Sequence, residues 1–187
     1  METKEKQILD AARVLFFQYG YKKTSVDEIA EAAGIGKGTV YNYFKNKEDL
    51  FIQCAEKTKN RMNQQLDKEL KKLKRANDKM ICMTITIVRF VHQLASEYAM
   101  SQKILEELMT IGIQLHEDLP EHIERTANLI QEGVDQGIFK SGNPTKDAKL
   151  INNITKMFMT HWVRIESEES EKEIHEMFEL IFNGLNK

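Results

Sequence analysis

The chain has 187 residues, of which 41% are hydrophobic and 30% are charged, and its formal net charge is -2. This composition is typical of a soluble globular protein and not of a disordered or membrane protein. Because the net charge is close to zero, a basic field over the whole surface is also excluded, and any interaction with nucleic acid has to depend on a local motif.

The sequence predicts neither export nor membrane insertion. No stretch approaches the roughly 20 apolar residues that cross a bilayer, and the N-terminus lacks the apolar core of a secretory signal. We therefore expect a cytoplasmic protein. Cys54 and Cys82 have no neighbouring Cys at the spacing of a zinc site or a disulfide framework, so we predict two buried thiols.

Helical periodicity dominates the chain, which contains only two prolines, and predicts an all-α fold. The first helix is predicted over residues 3–19. Ser25 and Glu28 have the spacing of a capping box and begin a second, short helix. A third short helix is predicted over residues 37–44, and a fourth begins at Lys47 with an acidic first turn that suits the helix dipole.

The fourth helix is predicted to continue through residues 57–79, which hold nine Lys or Arg against three Asp or Glu. Such a charged stretch is typical of a solvated surface, and a second surface that contacts DNA is the alternative. Further helices complete a total of about nine, and they are predicted over residues 80–99, 101–116, 121–139, 144–167 and 170–185.

The segment over residues 24–47 has the form of a helix-turn-helix, in which two short helices are joined by a tight turn that contains glycine. The second of these helices exposes Lys37, Thr39 and Asn42. An Asn pairs with adenine, a Thr contacts the methyl group of thymine, and a Lys reaches guanine or phosphate, so these types are suited to reading a major groove. Further donors for phosphate groups are Thr24, Ser25, Tyr41, Tyr43 and Lys47.

The same region resembles the tetracycline-repressor (TetR) family of bacterial regulators over residues 5–52. The resemblance is carried by Tyr19-Gly20, Thr24, Ile29-Ala30, Ala33-Gly34, the run KGTVY at residues 37–41, Tyr43-Phe44-Lys45 and Lys47-Glu48. It implies a DNA-binding domain over residues 1–47, which shares the fourth helix with an effector-binding and dimerisation domain over residues 48–187. It also implies that these residues face DNA: Thr24, Ser25, Lys37, Gly38, Thr39, Tyr41, Asn42, Tyr43 and Lys47.

One position departs from the pattern of the family. Gly36 stands where the family often has a Ser that caps the recognition helix, so we predict that this helix lacks a side-chain cap. Tyr19 and Phe44 are expected to pack in the core, because aromatic side chains at helical spacing usually do so.

The last two helices carry broad apolar stripes, which predict a homodimer through about residues 144–167 and 170–185. A dimer is favoured because a two-fold DNA site requires paired reading helices roughly 34 Å apart. The alternative is that the stripes only close the core of the monomer. The stripes consist of Ala148, Ile151, Ile154, Phe158, Trp162 and Ile165, and of Ile174, Met177, Phe178, Ile181, Phe182 and Leu185.

The resemblance also implies a small-molecule effector, for which an apolar interior favours a fatty or aromatic compound. Met side chains adapt to varied ligand shapes, and plain core packing is the alternative for each candidate. The candidate lining residues are Met83, Ile87, Phe90, Met109, Ile113, Met157, Phe158, His161 and Trp162.

Two other classes of protein are disfavoured by the sequence. A helical metalloenzyme is disfavoured because no Glu precedes a His by three residues, as it does in di-iron bundles. The sequence also contains no phosphate loop, nucleophile elbow or paired-Cys zinc site. Residues 116–122 form at most a weak metal site. A scaffold without a DNA role does not require the polar side chains crowded on the third helix. We therefore predict a ligand-released repressor of a palindromic operator, without enzymatic activity, cofactor or metal.

Overall fold

The protein is described by a computed structural model that places residues 3–115 and 120–185, and the side chains within residues 3–111 and 121–183. In these ranges the chain is all-α, as predicted. Its nine helices are α1 (Lys4–Tyr19), α2 (Val26–Ala32), α3 (Lys37–Tyr43), α4 (Lys47–Leu70), α5 (Ala76–Glu97), α6 (Gln102–Leu115), α7 (Pro120–Asp135), α8 (Pro144–Trp162) and α9 (Ser167–Leu185). None of the described helices is long and apolar enough to cross a membrane.

Helix α1 shows how local sequence defines an element. Its first turn is capped by the Thr3 hydroxyl, which accepts a hydrogen bond from the Lys6 N–H at 3.3 Å. Its apolar face is fully buried at Ile8 and Phe16. The helix ends at Gly20, whose φ of 86° is accessible to glycine and whose N–H donates to the Phe16 carbonyl at 2.9 Å.

The prediction that the fourth helix continues through residue 79 is wrong, because α4 ends at Leu70 and α5 begins at Ala76. The five residues between them are held by the side chain of Gln136, which directly follows α7. The Gln136 amide donates to the Lys74 carbonyl at 2.8 Å and accepts from the Ala76 N–H at 3.0 Å. These bonds replace helical hydrogen bonds, so a tertiary contact sets the break.

Helix α7 ends at Asp135, four residues before the predicted end. The chain turns at Gly137, with a φ of 70°, and the Ile138 N–H donates to the Gly133 carbonyl at 2.8 Å. This turn places the Phe139 ring over Gly133, where an added Cβ would approach the ring to 2.0 Å. Close packing of ring against backbone therefore ends the helix early.

Contacts divide the chain into two compact units. The first contains the described residues of Met1–Arg61 and Gln93–Glu117, and the second those of Met62–His92 and Asp118–Lys187. Helices α4 and α5 each contribute residues to both units. The division differs from the predicted boundary at residue 47 because α6 packs against α1 within the first unit. A division of function at residue 47 stays a prediction.

The second unit has an apolar core that includes much of the two stripes predicted for dimerisation. Ala148, Ile151, Trp162, Ile174, Phe178 and Phe182 are all buried within it. These residues therefore close the core of the monomer, which was the alternative to dimerisation. The described large apolar side chains that are exposed on α8 and α9 are Leu150, Met157, Phe158 and Leu180, and of these Phe158 belongs to the predicted stripes.

The two cysteines differ in environment. Cys54 is buried, as predicted, and burial raises the pKa of its thiol to about 12. Cys82 is only half-buried, contrary to the prediction, and its sulfur lies 3.8 Å from the Thr86 hydroxyl. Cys54 therefore acts as a small apolar core residue.

Candidate nucleic-acid interface

The predicted capping box at the start of α2 is confirmed. The Ser25 hydroxyl accepts from the Glu28 N–H at 3.2 Å, and the Glu28 carboxylate accepts from the Ser25 N–H at 2.7 Å. The Ser25 hydroxyl also donates to this carboxylate at 2.7 Å, and this hydrogen bond, followed by that from the Ser25 N–H, lowers the pKa of Glu28. The box orients the first of the two helices of the motif.

A four-residue turn joins α2 to α3. Gly34 adopts a φ of 66°, and the Ile35 N–H donates to the Ala30 carbonyl at 3.0 Å. Gly36 occupies the N-cap of α3 and provides no side-chain cap, as predicted. The side chain of Val40 is buried and packs α3 against the rest of the first unit. The arrangement is that of a helix-turn-helix.

The outer face of α3 carries polar side chains at high density. Tyr41 is 48% exposed and Tyr43 is 45% exposed, and Asn42 lies between them in an exposed position. Lys37 is also exposed, whereas Thr39 is half-buried. The helix thus offers amide, phenol and ammonium groups to the exterior within its seven residues.

Lys37, at the start of α3, forms an ion pair with Asp27 of α2, with 2.9 Å between Nζ and Oδ2. The hydrogen bond to Asp27 raises the pKa of Lys37. Both side chains are more than half exposed, so water screens the pair. The pair sets the direction of the Lys37 ammonium and places a negative charge beside the face of α3.

Thr24 does not lie where the resemblance implies. Its side chain is buried, and its hydroxyl lies 2.8 Å from the Gly20 carbonyl and 3.2 Å from the Leu15 carbonyl. The hydroxyl therefore supports the connection between α1 and α2 and is not presented to the exterior. Sequence reasoning could not distinguish this role, because a Thr before a capping Ser suits either one.

Lys47 is held by the same connection. Its ammonium donates to the Tyr21 carbonyl at 3.0 Å and to the Thr24 carbonyl at 3.1 Å. It also lies 4.3 Å from the centroid of the Tyr21 ring. Lys47 therefore ties the start of α4 to the segment before α2, and two of its three N–H groups are used within the protein.

The aromatic residues of α1 are arranged differently from the prediction. Tyr19 is 55% exposed, so its expected core position is wrong, whereas Phe44 is buried as expected. Phe17 is buried instead, and its ring lies edge-on to Tyr98 with 4.9 Å between centroids. Residues 16 and 17 are both Phe, and this adjacent apolar pair is the sequence signal that could have predicted the burial of Phe17.

A contact that the sequence does not reveal joins α6 to the segment before α2. The Glu107 carboxylate accepts from the Lys22 N–H at 2.9 Å. A Cβ at Gly20 would lie 3.3 Å from the same carboxylate, so glycine leaves the room that Glu107 occupies. This contact joins residues that are 85 positions apart, and no local pattern predicts it.

The predicted effector-lining residues do not form one group. Met83 and Ile87 line a cavity in the second unit. Phe90 and Trp162 are buried but are not among the residues that line it. Met109 is half-buried on α6 in the first unit. The side chain of Ile113 lies outside the described residues.

Three further residues predicted to line the effector site lie on the outer face of α8 and not at this cavity. Met157 is 79% exposed and Phe158 is 43% exposed. His161 is also exposed, and its Nε2 lies 2.9 Å from a carboxylate oxygen of Glu173 on α9. Residues of the cavity wall that sequence reasoning missed are Thr84, His122, Asn152, Thr155 and Met159.

No cluster of metal-ligating side chains occurs in the part of the chain with described side chains. Two residues of the weak metal site considered above, His116 and Glu117, lie outside that part. Burial, followed by the charge of Arg125, lowers the pKa of His122, so this imidazole is neutral near pH 7.

The chain is similar to known regulators over nearly its whole length. It matches the family of bacterial regulatory proteins, tetR family, over residues 8–54, and the Tetracyclin repressor-like, C-terminal domain over residues 91–182. It is 28% identical to the uncharacterized HTH-type transcriptional regulator YhgD of Bacillus subtilis, over 98% of this chain and 97% of that protein. It is 27% identical to the fatty acid metabolism regulator protein of the same organism, over 86% of this chain and 84% of that protein.

Solved structures share the fold. The fatty acid degradation regulator FadR from Bacillus halodurans has a TM-score of 0.72 at 24% identity and covers 95% of each chain. FadR from Bacillus subtilis in complex with stearoyl-CoA has a TM-score of 0.68 at 22% identity, over 92% of this chain and 96% of that one. With its helix-turn-helix and its matches to both regions of the family, this chain belongs to the TetR family of DNA-binding transcriptional regulators.

Proposed function

We propose that this protein is a cytoplasmic repressor that binds a palindromic operator as a homodimer and is released by a small apolar or amphipathic ligand. The observation that carries the proposal is the outer face of α3. There, Tyr41, Asn42 and Tyr43 are exposed on the second helix of a helix-turn-helix. Side chains of this kind on such a helix are suited to a major groove.

The polar residues of this face have separate roles in the proposal. Asn42 and Thr39 contact base edges, since an amide and a methyl-bearing hydroxyl distinguish bases. Tyr41, Tyr43 and Lys37 hold phosphate groups beside the groove. The backbone amides at Gly38 and at the start of α2, next to Ser25, add donors that need no side chain. Thr24 and Lys47 act indirectly, because their polar groups already hold the segment before α2 in place.

Exposed apolar side chains on α8 and α9 support a homodimer through these helices. Met157 and Phe158 follow Leu150 by seven and eight residues, so the three lie on one face of α8, and Leu180 is 76% exposed on α9. Large apolar side chains grouped in this way typically mark a surface that another protein covers. A four-helix interface between two copies would bury them.

Two observations support a ligand of apolar or amphipathic character. A cavity of the second unit is lined in part by Met83 and Ile87. One relative is a fatty acid metabolism regulator, and one neighbour of the fold was solved with stearoyl-CoA. Helices α4 and α5 contribute to both units, so a ligand that favours one arrangement of the second unit can shift the population of the DNA-binding form.

Selection of bound genomic fragments by the purified protein, followed by fluorescence anisotropy on the recovered site, tests this proposal. The fragments are expected to share a two-fold repeat. Asn42→Ala should lower affinity for the site by about 10-fold or more and reduce its preference over random DNA. The control is Asn60→Ala, which removes an exposed amide from α4. Fragments without a repeat, or equal effects of the two variants, would contradict the proposal.

Direction of regulation is tested separately. A reporter driven by a promoter that contains the site is expected to be less active when the protein is present and to recover with the Asn42→Ala variant. Higher reporter activity with the intact protein would show activation and contradict the repressor role.

A further inference from the structure

A small cavity lies inside the second unit, among residues of α5, α7, α8 and α9. Its volume is about 20 Å³, which accommodates roughly one water-sized group. Met80, Met83 and Phe178 form apolar parts of its wall. Because Met side chains are flexible, such a wall can adapt to a larger guest.

Another part of the wall is polar and includes Asn152. The Thr126 hydroxyl lies 3.1 Å from the Asn152 Oδ1 atom, to which it donates, and 3.0 Å from the His122 carbonyl. The Asn152 Nδ2 atom is buried and has no hydrogen-bond partner among the described residues. Nearby hydroxyl protons are directed elsewhere: Thr84 donates to the Met80 carbonyl and Thr155 to the Asn152 carbonyl. An unmatched donor in a core is unfavourable and uncommon, and therefore calls for an acceptor.

The cavity wall carries no formal charge. None of its described lining residues is Lys, Arg, Asp or Glu, and its one titratable group is His122. Burial and the charge of Arg125 lower the pKa of His122, so the imidazole is neutral near pH 7. A carboxylate or an ammonium would lose water here without gaining an opposite charge. The group that matches this wall is polar and uncharged.

A second cavity, of about 10 Å³, provides a continuation for an apolar chain. Met80 and Ile151 line both cavities, and Ile130, Phe139 and Phe182 form the rest of the apolar wall of the second. Lys140, Ser141 and Asp147 form the polar part of that wall. Movement of the Met80 side chain would join the two spaces. A ligand could then place a polar end at Asn152 and an apolar chain past Met80.

We infer that this cavity is the polar end of the effector site, and that the effector carries an uncharged carbonyl, as in an ester, thioester or amide, which accepts a hydrogen bond from Asn152 Nδ2. The inference rests on the proposed function and makes it more specific. Asn152 distinguishes such a ligand from a free fatty acid. The Met80 side chain blocks the space for the apolar chain of the ligand until the ligand displaces this side chain.

Calorimetric titration of the full chain with three ten-carbon probes tests this assignment. The probes are methyl decanoate, decanoate and decyl methyl ether, which lacks the carbonyl. Methyl decanoate is expected to bind about 3- to 10-fold more tightly than the ether, because it gains one hydrogen bond. It should bind at least about 10-fold more tightly than decanoate, whose charge is unmatched.

Asn152→Leu removes the donor at similar size and is expected to abolish the preference for ester over ether. Asn152→Ala tests the same donor without overpacking, in case the larger side chain prevents folding. Asn128→Leu, at an exposed position of α7, is the matched control and should leave the preference unchanged. Decanoate binding as tightly as the ester, or an ester preference that survives both Asn152 variants, would overturn the inference.

Operator binding measured on the same preparations separates the two proposals. If operator DNA is bound but the ester preference is absent, the assignment to Asn152 fails and the proposed function stands. If the ester binds through Asn152 but no palindromic site is recognised, the ligand site stands and the proposed function fails.

Discussion

The carboxylate of Glu107, in α6, accepts a hydrogen bond of 2.9 Å from the backbone N–H of Lys22, in the connection between α1 and α2. Glu107 lies in the region that matches the C-terminal domain of the family, and Lys22 in the region that matches the N-terminal one. Both belong to the first compact unit. A displacement of α6 would therefore act directly on the segment that precedes α2.

Replacing Glu107 should measure the strength of this connection. Glu107→Ala is expected to lower the free energy of unfolding by about 0.5–1 kcal/mol, because the hydrogen bond is exposed and water can replace the lost acceptor. Glu107→Gln keeps a neutral acceptor and should cost less. Urea denaturation of both variants provides the measurement. The control is Lys103→Ala, which removes an exposed side chain from the same helix. Equal midpoints for Glu107→Ala and the control would contradict this role.

Asp27 is expected to weaken DNA binding, because it pairs with Lys37 and places a negative charge beside α3. Asp27→Asn should therefore raise the affinity for DNA by about 3- to 10-fold at low salt, with a smaller gain as salt increases. Fluorescence anisotropy over a series of salt concentrations checks both points. Glu31→Gln removes an exposed charge from the same helix without breaking this pair. A gain of similar size in that control would assign the effect to net charge alone.

Ala99 has a φ of 49° and follows the end of α5, where the Met100 N–H donates to the Ala95 carbonyl at 2.8 Å. This left-handed position favours glycine. Ala99→Gly is expected to raise the free energy of unfolding by about 0.5–1 kcal/mol. Ala55→Gly, inside α4, should instead lower it by about 1 kcal/mol. Thermal or urea unfolding distinguishes the two, and destabilisation by Ala99→Gly would refute the assignment.

The stability of the protein should fall in mild acid through His122. Burial lowers the pKa of this His from its ordinary value of 6.5, so the unfolded chain binds the proton more readily than the folded one. Stability is therefore expected to decrease as the pH falls below about 6.5 and to level off below the folded pKa. His122→Gln should reduce this part of the pH dependence. Urea midpoints between pH 8 and pH 5 provide the test, with the exposed His175→Gln as control. The same pH dependence in both variants would count against His122.

Features that depend on neighbouring residues could be predicted from the sequence. The capping box of Ser25 and Glu28 and the missing cap at Gly36 both occur in the structure. Each involves groups within one helical turn, so their geometry follows once the helix forms. The polar outer face of α3 was predictable for the same reason, because its period is that of a single helix.

Features that depend on distant residues required the tertiary structure. Phe158 and Trp162 stack on one face of α8, with 5.6 Å between ring centroids, yet Phe158 is 43% exposed and Trp162 is 1% exposed. Periodicity therefore identifies an apolar face but not which part of it is covered by helices from elsewhere in the chain. The break after Leu70 depends in the same way on Gln136, and the unmatched amide of Asn152 becomes apparent only once its surroundings are packed. The sequence by itself determined the all-α class and the helix-turn-helix, because these arise from patterns within one or two turns. Tertiary packing decided which side chains remain available to a partner or a ligand, because that choice depends on contacts between distant parts of the chain.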